Sequence, residues 1–320
     1  MTATEAATAV DDVDNAAFEV NSITLRFGGV TSLSNVSMRM RHGEILAVIG
    51  PNGAGKTSLF NCLTGVYHPQ EGSIHFRRAP GAKPVSVLGK KTHTINHLGV
   101  ARTFQNIRLF PALTALENVK VGVETRQRSG AASAMLGLPN ARRDERESTR
   151  RALELLRFVD LADQANMVAS GLPYGGQRRL EIARALGTNP SVLLLDEPAA
   201  GTNPSEKREL ADLISAINRD MGVSVLLIEH DMRLVMSIAT RVVVLNFGQV
   251  IASGAPEQVQ RDPAVIEAYL GTTHSADKDV DRDADRDADR DVDQGGGGDT
   301  GTASTEATAD GSATGEEVGS

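Results

Sequence analysis

The sequence predicts an α/β fold: a parallel sheet flanked by helices, with a helical segment inserted into it. Three observations carry this. The runs Glu44–Ile49, Val192–Leu195 and Val223–Ile228 have the length and near-continuous apolarity of strands buried on both faces. Helical patterns alternate with them, as they do in sheets with a parallel core. From about residue 114 to residue 187 the chain has helical periodicity, dense charge around Arg142 to Arg151, and no strand-like run.

Residues 1–17 are rich in Ala, Thr and Asp without apolar periodicity and read as a disordered tail. Thr57 to Gly65 reads as a helix after the first buried strand. Arg77 to His97 carries five Lys/Arg but only Phe76 as an aromatic neighbour, so it reads as a solvated loop and not as a nucleic-acid patch. Pro204 to Met221 reads as a helix, with Pro at its start, Leu210, Leu213, Ile214 and Ile217 on one face, and Gly222 behind it. Val242–Leu245 and Val250–Ala252 flank Asn246-Phe247-Gly248-Gln249 as a hairpin. Residues 272–320 are low-complexity and acidic, and also read as disordered. Asp281, Asp283 and Asp285 alternate as in a calcium loop, but Arg286 stands where that loop needs Gly and Val292 where it needs Glu. The domain is thus expected over 18–271. Deleting residues 274–320 is expected to leave folding intact.

The net charge of −8 comes from the tails, which leave residues 18–270 mildly basic. No apolar run approaches the roughly 18 residues that cross a bilayer, and no secretory signal is evident at the N-terminus. The single cysteine, Cys62, cannot form an internal disulfide. These features point to a cytoplasmic protein.

Four motifs carry chemistry. Gly50-Pro51-Asn52-Gly53-Ala54-Gly55-Lys56-Thr57 fits the phosphate-binding loop, between a strand and a helix. Its glycines let backbone N–H groups face phosphates, Lys56 reaches the β- and γ-phosphates, Thr57 offers a hydroxyl to Mg²⁺, and the helix beyond, with Ser58 in its first turn, presents its positive end. Val192–Leu195 ends on Asp196 and Glu197. The first can hold Mg²⁺ through water, and the second can polarise an attacking water. His230 stands just past a third strand, where ligand-contacting groups gather in open α/β sheets. In Leu172-Pro173-Tyr174-Gly175-Gly176, a glycine pair opens a helix and so forms an anion-binding end.

Together these residues resemble the ATP-binding subunits of ABC transporters, from about Phe18 to Gly271. The resemblance implies a P-loop NTPase with a RecA-like α/β core, an antiparallel β subdomain and an inserted helical subdomain (about 114–187). It implies ATP and Mg²⁺ as ligands. Gly50–Thr57 matches the Walker A loop, Val192–Asp196 the Walker B strand, Glu197 the catalytic glutamate and His230 the switch histidine. Gln105, in Arg102-Thr-Phe-Gln-Asn106, matches the glutamine that senses Mg²⁺ and permease, and Phe27 the aromatic that stacks on adenine. Tyr174, Gly175 and Gly176 fall in the signature motif, which contacts the nucleotide of a partner subunit. Asn61-Cys-Leu-Thr-Gly65, Asp196-Glu-Pro-Ala-Ala-Gly201, Leu227-Ile-Glu-His-Asp-Met232 and Glu267-Ala-Tyr-Leu-Gly271 look like the G-type ATPase subunit of branched-chain amino-acid importers. That branch implies two permease subunits, a second related ATPase, indirectly a substrate-binding protein, and a place on the cytoplasmic face of the membrane.

Two motifs depart from the family pattern. Pro173 replaces the signature serine and Tyr174 a glycine, and Asn203 stands at the D-loop aspartate. The expectation is a competent site on this chain's Walker loop and a slower one where its signature caps the partner's nucleotide. Two other readings compete. A regulatory subunit with weak hydrolysis would suit Pro173 and Asn203, but Glu197 and His230 are both present. A non-transport ABC ATPase would carry a second phosphate loop or heptad repeats, and neither occurs.

Overall fold

The computed structural model describes residues 15–125 and 139–269. The expectations for residues 1–14 and 270–320 lie outside them. Ala16–Phe27 (β1), Val30–Arg41 (β2), Glu71–Phe76 (β4) and Val85–Ser86 (β5) form an antiparallel sheet in the order β2-β1-β4-β5. Here the expected tail boundary is corrected. β1 begins at Ala16 opposite Arg41, and Ala16 and Ala17 are fully buried. The Ala17 carbonyl accepts from the Arg77 N–H at 2.9 Å. Those partners are distant in sequence, so local composition could not reveal them.

A second sheet holds Ile45–Ile49 (β3), Val100–Arg102 (β6), Val192–Asp196 (β7), Ser224–Ile228 (β8), Arg241–Asn246 (β9) and Gln249–Gly254 (β10), ordered β10-β9-β3-β8-β7-β6. All neighbours are parallel except the β9–β10 hairpin. The strands are apolar throughout because both faces are covered. Val192, Leu194, Leu226 and Ile228 join one core with Leu46 and Val48, against the first sheet. Leu193, Leu195, Val225 and Leu227 join another, against the helical segment.

Lys56–Leu63 (α1) follows β3, and Thr92–Leu98 (α2) precedes β6. The stretch expected as a solvated loop therefore carries structure: β5 and α2 lie within it, and Arg77 is buried against Glu19 at 3.5 Å. Among the described residues, the helical segment holds Ala115–Glu124 (α3), Pro139–Phe158 (α4) and Tyr174–Gly187 (α5). A capping box starts α3: the Glu117 N–H donates to Thr114 Oγ1 at 3.2 Å, and the Thr114 N–H donates to the Glu117 carboxylate at 2.8 Å. The close approach of α3 to α5 needs Gly122, where a Cβ would lie 2.1 Å from the Arg184 carbonyl oxygen. Pro204–Met221 (α6), Met232–Ile238 (α7) and Pro256–Gln260 (α8) follow. Cys62, on α1, is buried, and burial pushes its thiol up to about 12. Among the described residues no helix is long and apolar enough to cross a membrane.

Candidate functional site

Three neighbouring parallel strands, β3, β8 and β7, end side by side, and the chemistry-bearing loops leave from those ends. This is where an open α/β sheet offers its crevice. Gly50 follows β3, Asp196 closes β7 opposite Ile228, and Glu229-His230-Asp231 follow β8.

Gly50 allows the loop to fold back under the β9–β10 hairpin. Its φ is 149°, and a Cβ would lie 2.0 Å from the Leu245 carbonyl oxygen. The Ala54 N–H donates to the Pro51 carbonyl at 3.2 Å, and the Gly248 N–H donates to the Ala54 carbonyl at 3.0 Å. The loop encloses a cavity of about 260 Å³ lined by Asn52–Ser58, Ser32 and Glu197. Lys56 is buried, and its ammonium donates to the Gly50 and Pro51 carbonyls at 2.7 and 2.9 Å. Burial lowers its pKa from the ordinary 10.5, with Glu197 and Asp196 partly opposing. A buried cation held by the carbonyls of its own loop fits an anionic ligand.

Glu197 sits in the left-handed region at φ 45°, a strained conformation of a kind that clusters at functional sites. Its Oε2 accepts from the Gln105 side-chain amide at 3.0 Å, and His230 Nδ1 lies 3.8 Å from the same oxygen. Three of the expected residues thus converge at the mouth of the phosphate-loop cavity. Phe27, half exposed at the end of β1, stands edge-on to Tyr67 with ring centroids 5.0 Å apart. Ser32 Oγ, in β2, donates to Ser58 Oγ at 2.7 Å, which ties the first sheet to the start of α1.

Tyr174, Gly175 and Gly176 do not reach this cavity. Gly175 and Gly176 line a separate one of about 310 Å³ with Pro173, Arg179, Asn203 and Glu206. Pro173 is the N-cap of α5 and gives it no side-chain hydrogen bond. Asn203 is the N-cap of α6: its Oδ1 accepts from the N–H groups of Ser205 and Glu206 at 2.9 and 3.0 Å.

Sequence reasoning gave no role to four groups that shape the site. Arg102 was quoted within a motif, yet its guanidinium holds Asp196 Oδ2 at 2.7 Å and Asn61 at 2.7 Å. Glu229 is fully buried and accepts from the N–H groups of Ala199 (2.8 Å) and His230 (3.2 Å). Burial raises its pKa, against those hydrogen bonds. Its signal was a carboxylate directly after an apolar strand. Arg178 and Glu181 form a buried pair at 3.0 Å, signalled by opposite charges at i and i+3 amid apolar neighbours.

Residues 33–200 match the ABC transporter family, and residues 249–275 match the family described as branched-chain amino acid ATP-binding cassette transporter. The chain belongs to the ABC transporter family. It is an ATP-binding, ATP-hydrolysing subunit of that family. LivG of Salmonella typhimurium, a high-affinity branched-chain amino acid transport ATP-binding protein, is 46% identical over 252 residues, covering 79% of this chain and 96% of the relative. BraF of Pseudomonas aeruginosa, of the same description, is 46% identical over 253 residues, covering 79% and 97%. Among solved structures, the ADP conformation of the cassette MJ1267 superposes with a TM-score of 0.68 at 30% identity, covering 80% of this chain and 99% of that one. The dimeric post-hydrolysis cassette MJ0796, bound to ADP and Pi, gives 0.62 at 25% identity, covering 75% and 98%. The ABC ATPase architecture expected from sequence is the one observed, with the cassette's antiparallel sheet, parallel core and helical insertion in place.

Proposed function

We propose that this chain hydrolyses ATP at its own phosphate loop to energise a membrane permease that imports branched-chain or related amino acids. The observation that carries the reading is the convergence of Gln105, Glu197 and His230 at the mouth of the Lys56 cavity. Lys56 and the loop N–H groups hold the phosphates, and Phe27 offers its exposed face to the base. The Glu197 carboxylate accepts a proton from the attacking water and orients it toward the γ-phosphorus, while His230 donates toward the oxygens that gain charge. Thr57 and Asp196, with Gln105, are the residues that would hold Mg²⁺, partly through water. The hydroxyl, carboxylate and amide suit a hard cation. When bound, the ion supplies charge neutralisation for the phosphate oxygens.

The substrate class follows the printed names of the relatives and the C-terminal match over 249–275. The partners follow the same logic. A second, related ATPase would face this chain head to tail, consistent with a signature cavity separate from the phosphate-loop cavity. Of two permease subunits, one would place a short cytoplasmic helix in a cleft of about 410 Å³ between the parallel core and the helical segment, lined by His93, His97, Phe110, Val121 and Arg184. A binding protein would contact the permease alone, and the chain would act on the cytoplasmic face of the membrane. The test is Mg²⁺-dependent ATPase activity of the chain co-purified with its permease and second ATPase, with Glu197→Gln alongside. Activity in the wild-type complex that disappears in the variant is expected. Undiminished turnover in the variant would overturn the assignment.

A further inference from the structure

Tyr174 occupies a signature position where the family pattern has glycine, and its hydroxyl has both a donor and an acceptor role inside this chain. It donates to the Ala200 carbonyl at 3.2 Å and accepts from Arg178 Nη2 at 3.2 Å. The same Nη2 donates to the Gln105 carbonyl at 2.8 Å, and Nη1 donates to the Phe104 carbonyl at 2.8 Å. Glu181 pairs with Arg178 and accepts from the Arg108 N–H at 3.2 Å. Both charged groups are about 1% exposed. From Gln105 the side-chain amide donates to Glu197 Oε2 at 3.0 Å, and the Ala200 N–H donates to the Glu197 carbonyl at 3.1 Å. The hydrogen bonds close a ring: Glu197, Ala200, Tyr174, Arg178, Gln105, and back to Glu197.

We propose that Tyr174 and Arg178 are positioning residues that couple the signature turn of this chain, which caps the partner's nucleotide, to Glu197 over its own. The inference rests on the functional reading above and deepens it. Tyr174 is 45% exposed and directly precedes Gly175 and Gly176, so a ligand at the signature turn meets the residue whose hydroxyl holds the ring together. The buried Arg178–Glu181 pair makes the far side of the ring stiff. Desolvating it is costly unless its hydrogen bonds are kept, so Arg178 follows the backbone of Phe104 and Gln105 and does not swing free. The ring therefore bends at its exposed corner, Tyr174, and any displacement there reaches the two groups that hold the glutamate: the Gln105 amide and the Glu197–Ala200 turn. A plain structural staple between α5 and the Gln105 loop would need only Arg178 and Glu181, and the tyrosine hydroxyl would be idle.

Tyr174→Phe separates these cases because it removes only the hydroxyl. ATP turnover is measured in the assembled complex, and again in a complex whose partner ATPase carries a substitution of its own catalytic glutamate, so that only this chain's site turns over. Steady-state kcat, KM, Hill coefficient and Tm are read for each. Positioning predicts a kcat lower by about fivefold, the fold-change equivalent of roughly one hydrogen bond. KM stays unchanged, Tm falls by no more than the roughly 2–4 °C that one hydrogen bond is worth, and the Hill coefficient falls toward about 1 as the two sites uncouple. Wild-type kcat and Hill coefficient in the variant complex would overturn the proposal, as would a fall in kcat accompanied by a larger fall in Tm with the Hill coefficient unchanged. If the wild-type complex fails to hydrolyse ATP, or Glu197→Gln leaves hydrolysis intact, the functional reading itself falls, and the coupling with it.

Discussion

Lys56 is held below the ordinary lysine range by burial, and it faces the space where phosphates would lie. An anion there favours the charged amine, so nucleotide affinity is present while Lys56 is protonated. Affinity is lost as pH rises through the depressed pKa, at lower pH than the 10.5 of a free lysine. Titration of nucleotide binding from neutral to alkaline pH should show this limb, and Lys56→Met should lack it while binding weakly throughout. Gly50 offers a steric test. Gly50→Ala drives a methyl into the Leu245 carbonyl at a φ that L-residues avoid. Such overpacking and strain cost of order 1–3 kcal/mol each, so calorimetry should show a lowered Tm together with lost nucleotide binding. The placement of Lys56, Asp196, Glu197 and His230 at the strand ends was legible in the sequence, because each stands at a fixed offset from a strand or a glycine. Arg102 and Glu229 were not, because their partners, Asp196 and the Ala199 N–H, are near only once the strands are laid side by side.

β3, β7, β8, the β9–β10 hairpin and α6 were readable within a residue or two, since continuous apolarity, turn residues and a Pro-to-Gly frame are local signals, whereas β6, only three residues long, gave none. The antiparallel sheet was less so. β1 and β2 mix polar and apolar residues, and their pairing is interrupted by several register shifts that blur alternation. Asn203 shows how an element can reassign a residue. Read against the D-loop pattern it is a missing charge, but in the fold it caps α6 with two accepted N–H bonds. Asn203→Ala should cost about 1 kcal/mol, a fall in Tm of roughly 2–4 °C for a domain of this size. Asn203→Asp should keep the cap and the melting temperature. Differential scanning calorimetry of the pair separates capping from any effect on turnover.

On the proposed function, the whole chain would meet ATP in two unlike ways. Its own phosphate loop keeps every group the chemistry asks for, whereas its signature turn begins at Pro173, which has no N–H or hydroxyl to give. In the assembled transporter, Glu197→Gln should therefore cost most of the turnover, and the matching substitution in the partner should cost less. Single-turnover measurements on both variants decide the order. The relatives cover 79% of this chain, and the acidic C-terminal stretch lies beyond the family match that ends at residue 275. Truncation after residue 273 should leave the Tm of the cassette within about a degree. Cys62 adds a practical property. The only thiol in the sequence is walled into the core on the buried face of α1, with its ionisation pushed up to about 12, so at neutral pH it is almost wholly in the unreactive protonated form. The native chain is in effect a cysteine-free background. A single cysteine introduced on the surface of the helical segment would take a maleimide dye alone, and opening and closing of the working transporter could be followed by fluorescence without first mutating the core.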